Sequence, residues 1–138
     1  MRPPDAVRIA NTREWLLRAE EDLASAERLL RDSPPLLRTA LFHCQQAAEK
    51  AFKGWLTWHD VPFRRIHVLE ELAEACLQLD PTLEPVVNRT VPLSAYAVRF
   101  RYPGAPYEPS LDEARNALTI AHEAVEAVKG RLPEQARP

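Results

Sequence analysis

Only three glycines occur in 138 residues, and Gly54, Gly104 and Gly130 stand alone. A loop that cradles phosphate needs several glycines close together, so P-loop and dinucleotide-binding sites are excluded. The two cysteines, Cys44 and Cys76, lie far apart on apolar helical patterns and read as buried free thiols of a reducing cytosol. No apolar run approaches the ~18 residues that a membrane span requires, and the opening MRPPDAVRIANTREW holds no apolar core of a signal peptide. A soluble cytoplasmic protein with no membrane association is expected. The histidines and cysteines show no paired ligand spacing, so no metal is expected, and nothing implies a cofactor. Ser25, Ser33, Ser94 and Ser110 have no base nearby in sequence, which argues against a serine nucleophile.

What is present is helical. Apolar residues make up 46% and charged residues 28%, the balance of one globular domain with its own core. The thirteen prolines fall in small clusters between periodic segments, as stiff connections do. Residues 1–11 read as a loose arm, residues 12–130 as the bundle, and residues 131–138 as a frayed tail. The first helix is expected from Thr12 to Asp32, capped by Asn11 or Thr12, with Trp15, Leu16, Ala19, Leu23, Ala26, Leu29 and Leu30 inward. Its outer face reads as Arg18, Glu20, Glu21, Asp22, Glu27, Arg28 and Arg31. Ser33-Pro34-Pro35 ends it.

The second helix, Arg38 to Asp60, is the longest pattern and the center of the bundle. Leu41, Cys44, Ala48, Ala51 and Trp55 recur at steps of three and four. Gln45, Gln46, Glu49, Lys50 and Lys53 interleave with that stripe, and those facing other helices need partners. A third helix starts at His67 and stops before Pro81. A fourth, Thr82 to Phe100, contains Pro92, so a kink or restart is expected near Val91. The fifth starts at Ser110, where Ser-x-x-Glu with Glu113 makes a capping box, and Gly130 is placed to stop it. Nothing reads as a strand. The expected fold is an all-α, up-and-down four- or five-helix bundle.

Charge is uneven although the net value is only −2. Val86 to Tyr107 carries Arg89, Arg99 and Arg101 and no acid, whereas Val68 to Pro85 carries five acids and no base. Arg99 and Arg101 flank a phenylalanine beside Tyr102; guanidinium forks suit phosphate or carboxylate, and the rings suit stacking on a base. The plain alternative is that one arginine pairs with the acids of the third helix or with Glu49. His67 either caps its helix and bonds a neighbor or serves catalysis.

Three segments together carry a resemblance. Phe42-His43-Cys44-Gln45-Gln46-Ala47-Ala48-Glu49-Lys50-Ala51-Phe52-Lys53, then Arg65-Ile66-His67-Val68-Leu69-Glu70-Glu71-Leu72, then Arg101-Tyr102-Pro103 before an alanine-rich last helix resemble the HEPN domain family. Trp15 and Ala19-Glu20-Glu21-Asp22-Leu23 agree with it, so the likeness covers about residues 12 to 129. It implies a helical bundle that often forms a homodimer and frequently works with a small nucleotidyltransferase, the two resembling a toxin–antitoxin pair. Many members are metal-independent ribonucleases with an arginine, four to six intervening residues and then a histidine. Here Arg101 to Tyr107 contains no histidine. The resemblance therefore implies a non-catalytic or degenerate protein that binds a nucleotide or RNA phosphate through Arg99, Arg101 and Tyr102, with Lys50 and His67 as further ligand-binding candidates. Arg38 to His43 and Arg115 to His122 also match the bare spacing, but outside the expected place. On one helix Arg115 and His122 stand about 10 Å apart. A dimeric ribonuclease using Arg115 and His122, or His67, is the alternative function, and a structural adaptor is the third.

Overall fold

A computed structural model describes residues 6–64, 68–97 and 107–138. The described residues form five α-helices, α1 (Ala6–Arg31), α2 (Leu37–Trp58), α3 (Leu69–Leu79), α4 (Glu84–Thr90) and α5 (Leu111–Arg131), with 3₁₀ turns at Pro81–Leu83, Val91–Ala97 and Glu134–Ala136. No strand occurs among the described residues, and the fold is the expected all-α bundle. No described helix is long and apolar enough to cross a membrane.

α2 sits at the center because its apolar residues are spread around much of its circumference. It packs against α1, α3, α5 and the turn that follows α4. Ala40, Leu41, Cys44, Ala47, Ala48, Ala51, Phe52 and Leu56 are all fully buried. Its closest partner is α1, and the closeness has a local cause at Gly54. A Cβ there would overlap Leu16 Cδ2 and stand 3.2 Å from Trp15 Cβ, so only glycine admits α1 at this distance. α2 ends in a Schellman turn: Val61 N–H donates to Leu56 O at 2.9 Å, Asp60 N–H donates to Thr57 O at 3.1 Å, and Asp60 takes a φ of 56°.

Several boundaries differ from expectation. α1 starts at Ala6, so part of the expected arm is helix. Neither Asn11 nor Thr12 caps it; Thr12 is buried and its hydroxyl donates back to Arg8 O at 2.8 Å. The extra turns have something to pack on, because the Arg8 guanidinium lies 5.2 Å from the Trp58 ring. α5 passes through Gly130 and stops at Arg131. A Cβ at Gly130 would meet nothing within 4 Å, so this glycine answers no packing demand. The tail is not frayed: Leu132 and Ala136 are buried, and the Glu134–Ala136 turn packs on α1. The expected break near Val91 is present, since α4 ends at Thr90 and a 3₁₀ stretch, Val91–Ala97, follows. Pro92 cannot supply the N–H that an α-helix needs there.

Candidate functional site

The arginine segment is bracketed by a described frame, although Arg99, Arg101 and Tyr102, like His67, lie outside the described residues. On its N-terminal side Ser94 Oγ donates to Glu70 Oε1 at 2.6 Å, which ties the 3₁₀ stretch to α3. Two residues later the Tyr96 hydroxyl donates to Glu113 Oε1 at 2.8 Å. On the C-terminal side the Tyr107 hydroxyl donates to the other oxygen, Glu113 Oε2. Glu108 pairs with Arg38 at the start of α2. Glu113 thus receives both flanking tyrosines. The first half of the expected capping box is formed, with Glu113 N–H donating to Ser110 Oγ at 3.0 Å. The Glu113 carboxylate serves the tyrosines, a role that the Ser-x-x-Glu pattern alone does not reveal.

The polar residues of α2 are mostly accounted for by neighbors within the bundle. Lys50 Nζ donates to Asp22 Oδ2 at 2.5 Å, and His43 Nδ1 lies 2.7 Å from Asp22 Oδ1. Lys50 and His43 are seven residues apart, two turns on one face, so a single carboxylate on α1 reaches both. Asp22 is only 7% exposed, which places it inside the α1/α2 seam and not on the outer face. Glu49, also buried, accepts from Lys53 at 3.4 Å, and Lys53 Nζ lies 5.4 Å from the Trp15 ring and 5.8 Å from Phe63. Gln46 donates to Gln45 at 2.7 Å. Among the described residues the Gln45 amide nitrogen and the Trp55 indole nitrogen are buried without an acceptor. Burial pushes the Cys44 thiol up to about 12, with the Asp22 charge adding to the effect.

Lys50 also borders open space. A groove of ≈ 570 Å³ between α1 and α2 is lined by Asn11, Glu14, Trp15, Arg18, Lys50 and Thr57. It shares Asn11 and Thr57 with a wider opening of ≈ 940 Å³ that runs toward Arg8 and Phe63. Arg18 is paired with Glu14 at 3.0 Å, so opposite charges meet along this wall.

The other arginine–histidine spacings are not drawn together. Arg38 turns to Glu108 while His43 turns to Asp22. On α5, Arg115 is exposed, and His122 Nε2 meets Glu27 Oε1 of α1 at 2.6 Å. The His122 side chain keeps 43% exposure and its second ring nitrogen. Among the described residues no three histidine, cysteine or acidic side chains gather to hold a metal ion.

The sequence model of the HEPN domain matches residues 12–131. Two solved structures are similar. One is TT1696 from Thermus thermophilus, at 30% identity and a TM-score of 0.76, covering 88% of this chain and 98% of that one. The other is ST0689, described as an archaeal HEPN homologue, at 27% identity and a TM-score of 0.71, covering 88% of this chain and 97% of that one. No curated protein matches the chain significantly.

Proposed function

The chain belongs to the HEPN domain family, and from that premise we propose that it is a non-catalytic or degenerate member whose arginine segment binds the phosphate of a nucleotide or RNA. The observation that carries this reading is the composition of Arg101 to Tyr107, which offers a guanidinium and aromatic rings but no histidine. Without an imidazole the usual proton-transfer group is missing, while phosphate can still be held by Arg99 and Arg101 and a base can stack on Tyr102. His67 and Lys50 are the further ligand contacts; Lys50 borders the open groove but is already neutralized in part by Asp22. The protein acts as a cytoplasmic homodimer beside a nucleotidyltransferase, in a toxin–antitoxin-like pair. The test is binding of labelled ATP and of a labelled single-stranded RNA by the wild type and by Arg99→Ala/Arg101→Ala. Binding should weaken at least roughly tenfold, the scale of one lost charge-assisted contact, with little change in melting temperature. Equal binding by both proteins overturns the reading.

One observation favors a second reading. His122 is oriented by Glu27 through one ring nitrogen and its side chain stays partly exposed, the arrangement a general base needs. In a metal-independent ribonuclease Arg115 would face the phosphate. Incubation with total RNA in the presence of a chelator separates the two: cleavage that His122→Ala abolishes establishes the nuclease, and intact RNA removes it.

A further inference from the structure

The groove between α1 and α2 has walls of mixed charge, unlike those of a phosphate site. Arg18 and Lys50 line it, but each already faces an acid: Arg18 donates to Glu14 at 3.0 Å, and Lys50 donates to Asp22 at 2.5 Å. Asp60 adds a carboxylate where the groove widens. A dense anion would meet opposed charges here and gain little. What the groove offers freely is neutral. Asn11 of α1 and Thr57 of α2 border both the ≈ 570 Å³ groove and the ≈ 940 Å³ opening, so they stand where the two join. Among the described residues no hydrogen bond engages the Asn11 carboxamide or the Thr57 hydroxyl. Asn11 lies inside α1, five residues beyond its start, so it has no helix end to cap.

A carboxamide presents a donor and an acceptor in one plane, and a hydroxyl can serve as either. The edge of a nucleobase presents the same groups side by side. Trp15 lines the groove with them, and its ring is fixed: Phe63 packs edge-on at 6.1 Å, and the buried Lys53 ammonium lies 5.4 Å away. A ring held in this way is a stacking surface that needs little ordering on binding. We propose that the groove binds a neutral heteroaromatic ring, the base of a nucleoside, stacked along Trp15 with its edge on Asn11 and Thr57. That the ring belongs to the nucleotide or RNA held by the arginine segment rests on the function proposed above; the choice of ring over phosphate in the groove does not.

Calorimetric titration with adenosine, cytidine, inosine and uridine is the test. At least one should bind with a dissociation constant on the order of 0.1–1 mM, the range that ordinary ligand efficiency gives a molecule of this size. Asn11→Ala/Thr57→Val should weaken that binding roughly tenfold while the melting temperature stays close to wild type, because neither polar group holds the bundle together. Inorganic triphosphate should not displace the nucleoside. No measurable binding of any of the four nucleosides overturns the proposal. Equal affinity in the double variant, or displacement by triphosphate, overturns it too. Affinity that falls as protein concentration rises gives the groove to a second copy of the chain, with the same result. Arg99→Ala/Arg101→Ala separates this site from the arginine segment: nucleoside binding should persist there, and its loss overturns the groove. Unchanged RNA binding in that variant overturns the phosphate reading alone.

Discussion

The side chain of Leu16 occupies the space that any side chain at Gly54 would need. Two effects oppose each other in Gly54→Ala. Alanine gains about 1 kcal/mol of helix propensity over glycine, whereas overpacking a closed core costs about 1–3 kcal/mol. Leu16 is fully buried and Trp15 Cβ stands only 3.2 Å from the added carbon, so overpacking wins. Urea unfolding should show a net loss of up to about 2 kcal/mol. In a Leu16→Ala background the same change should cost far less; equal costs in both backgrounds would refute the contact.

Asp22 joins two basic side chains of α2. Asp22→Ala leaves Lys50 and His43, each about a quarter exposed on its side chain, facing an apolar seam. The expected loss is about 1–3 kcal/mol, the range for hydrogen bonds to charged groups. Lys50→Met should cost less, since the stem packs as before and only one of the two contacts disappears. Denaturant midpoints of the two variants give the order directly, and the reverse order would contradict the shared carboxylate.

That trio also shows what the sequence conveys and what it hides. Helix count, the break at Pro92 and the buried face of α2 follow from local spacing, and all are legible. Asp22 reads as part of an outer charged face because Glu20, Glu21, Glu27 and Arg28 surround it; its partners lie 21 and 28 residues away. Glu20 and Glu27 likewise reach Lys129 and His122 on α5. A helix wedged between two neighbors buries more of its circumference than its apolar stripe predicts. Glu113 is legible only as half of a capping box, since nothing local points to tyrosines 17 and 6 residues away. The start of α1 is hidden for the same reason: the ring that Arg8 covers belongs to α2.

Both thiols should be inert in the native state. Burial pushes Cys44 and Cys76 to about 12, so almost no thiolate exists near neutrality. Alkylation at pH 8 should be slow until denaturant is added, when two thiols react. Because these folded values are raised, the associated stability is fully present below the ordinary thiol value and is lost as pH rises through about 12. A fast-reacting native thiol would place at least one cysteine outside the core.

Asp80 governs part of the acid limb. The Thr82 hydroxyl and backbone N–H, with Arg131 behind them, hold its carboxyl below the usual carboxylate range. A lowered folded value gives stability that is present above the ordinary carboxylate pKa and lost as pH falls through the folded one. Melting temperature should therefore fall less steeply on acidification in Asp80→Asn than in wild type. Identical slopes would remove Asp80 from the acid response.

Small side chains flank Asp22 and its partners. Ala19 and Ala26 flank it on α1, and Ala47 and Ala51 lie between His43 and Gly54 on α2, all buried. Small side chains make shallow ridges, and shallow ridges select one alignment of two helices only weakly. A slip of α1 by one turn would leave many of the methyl contacts replaceable, but it would carry the Asp22 carboxylate away from both basic groups that reach it. The shared carboxylate therefore acts as a vernier. Its energetic contribution is modest, and its consequence is that, together with Leu16 over Gly54, it gives α1 one place to stop along α2.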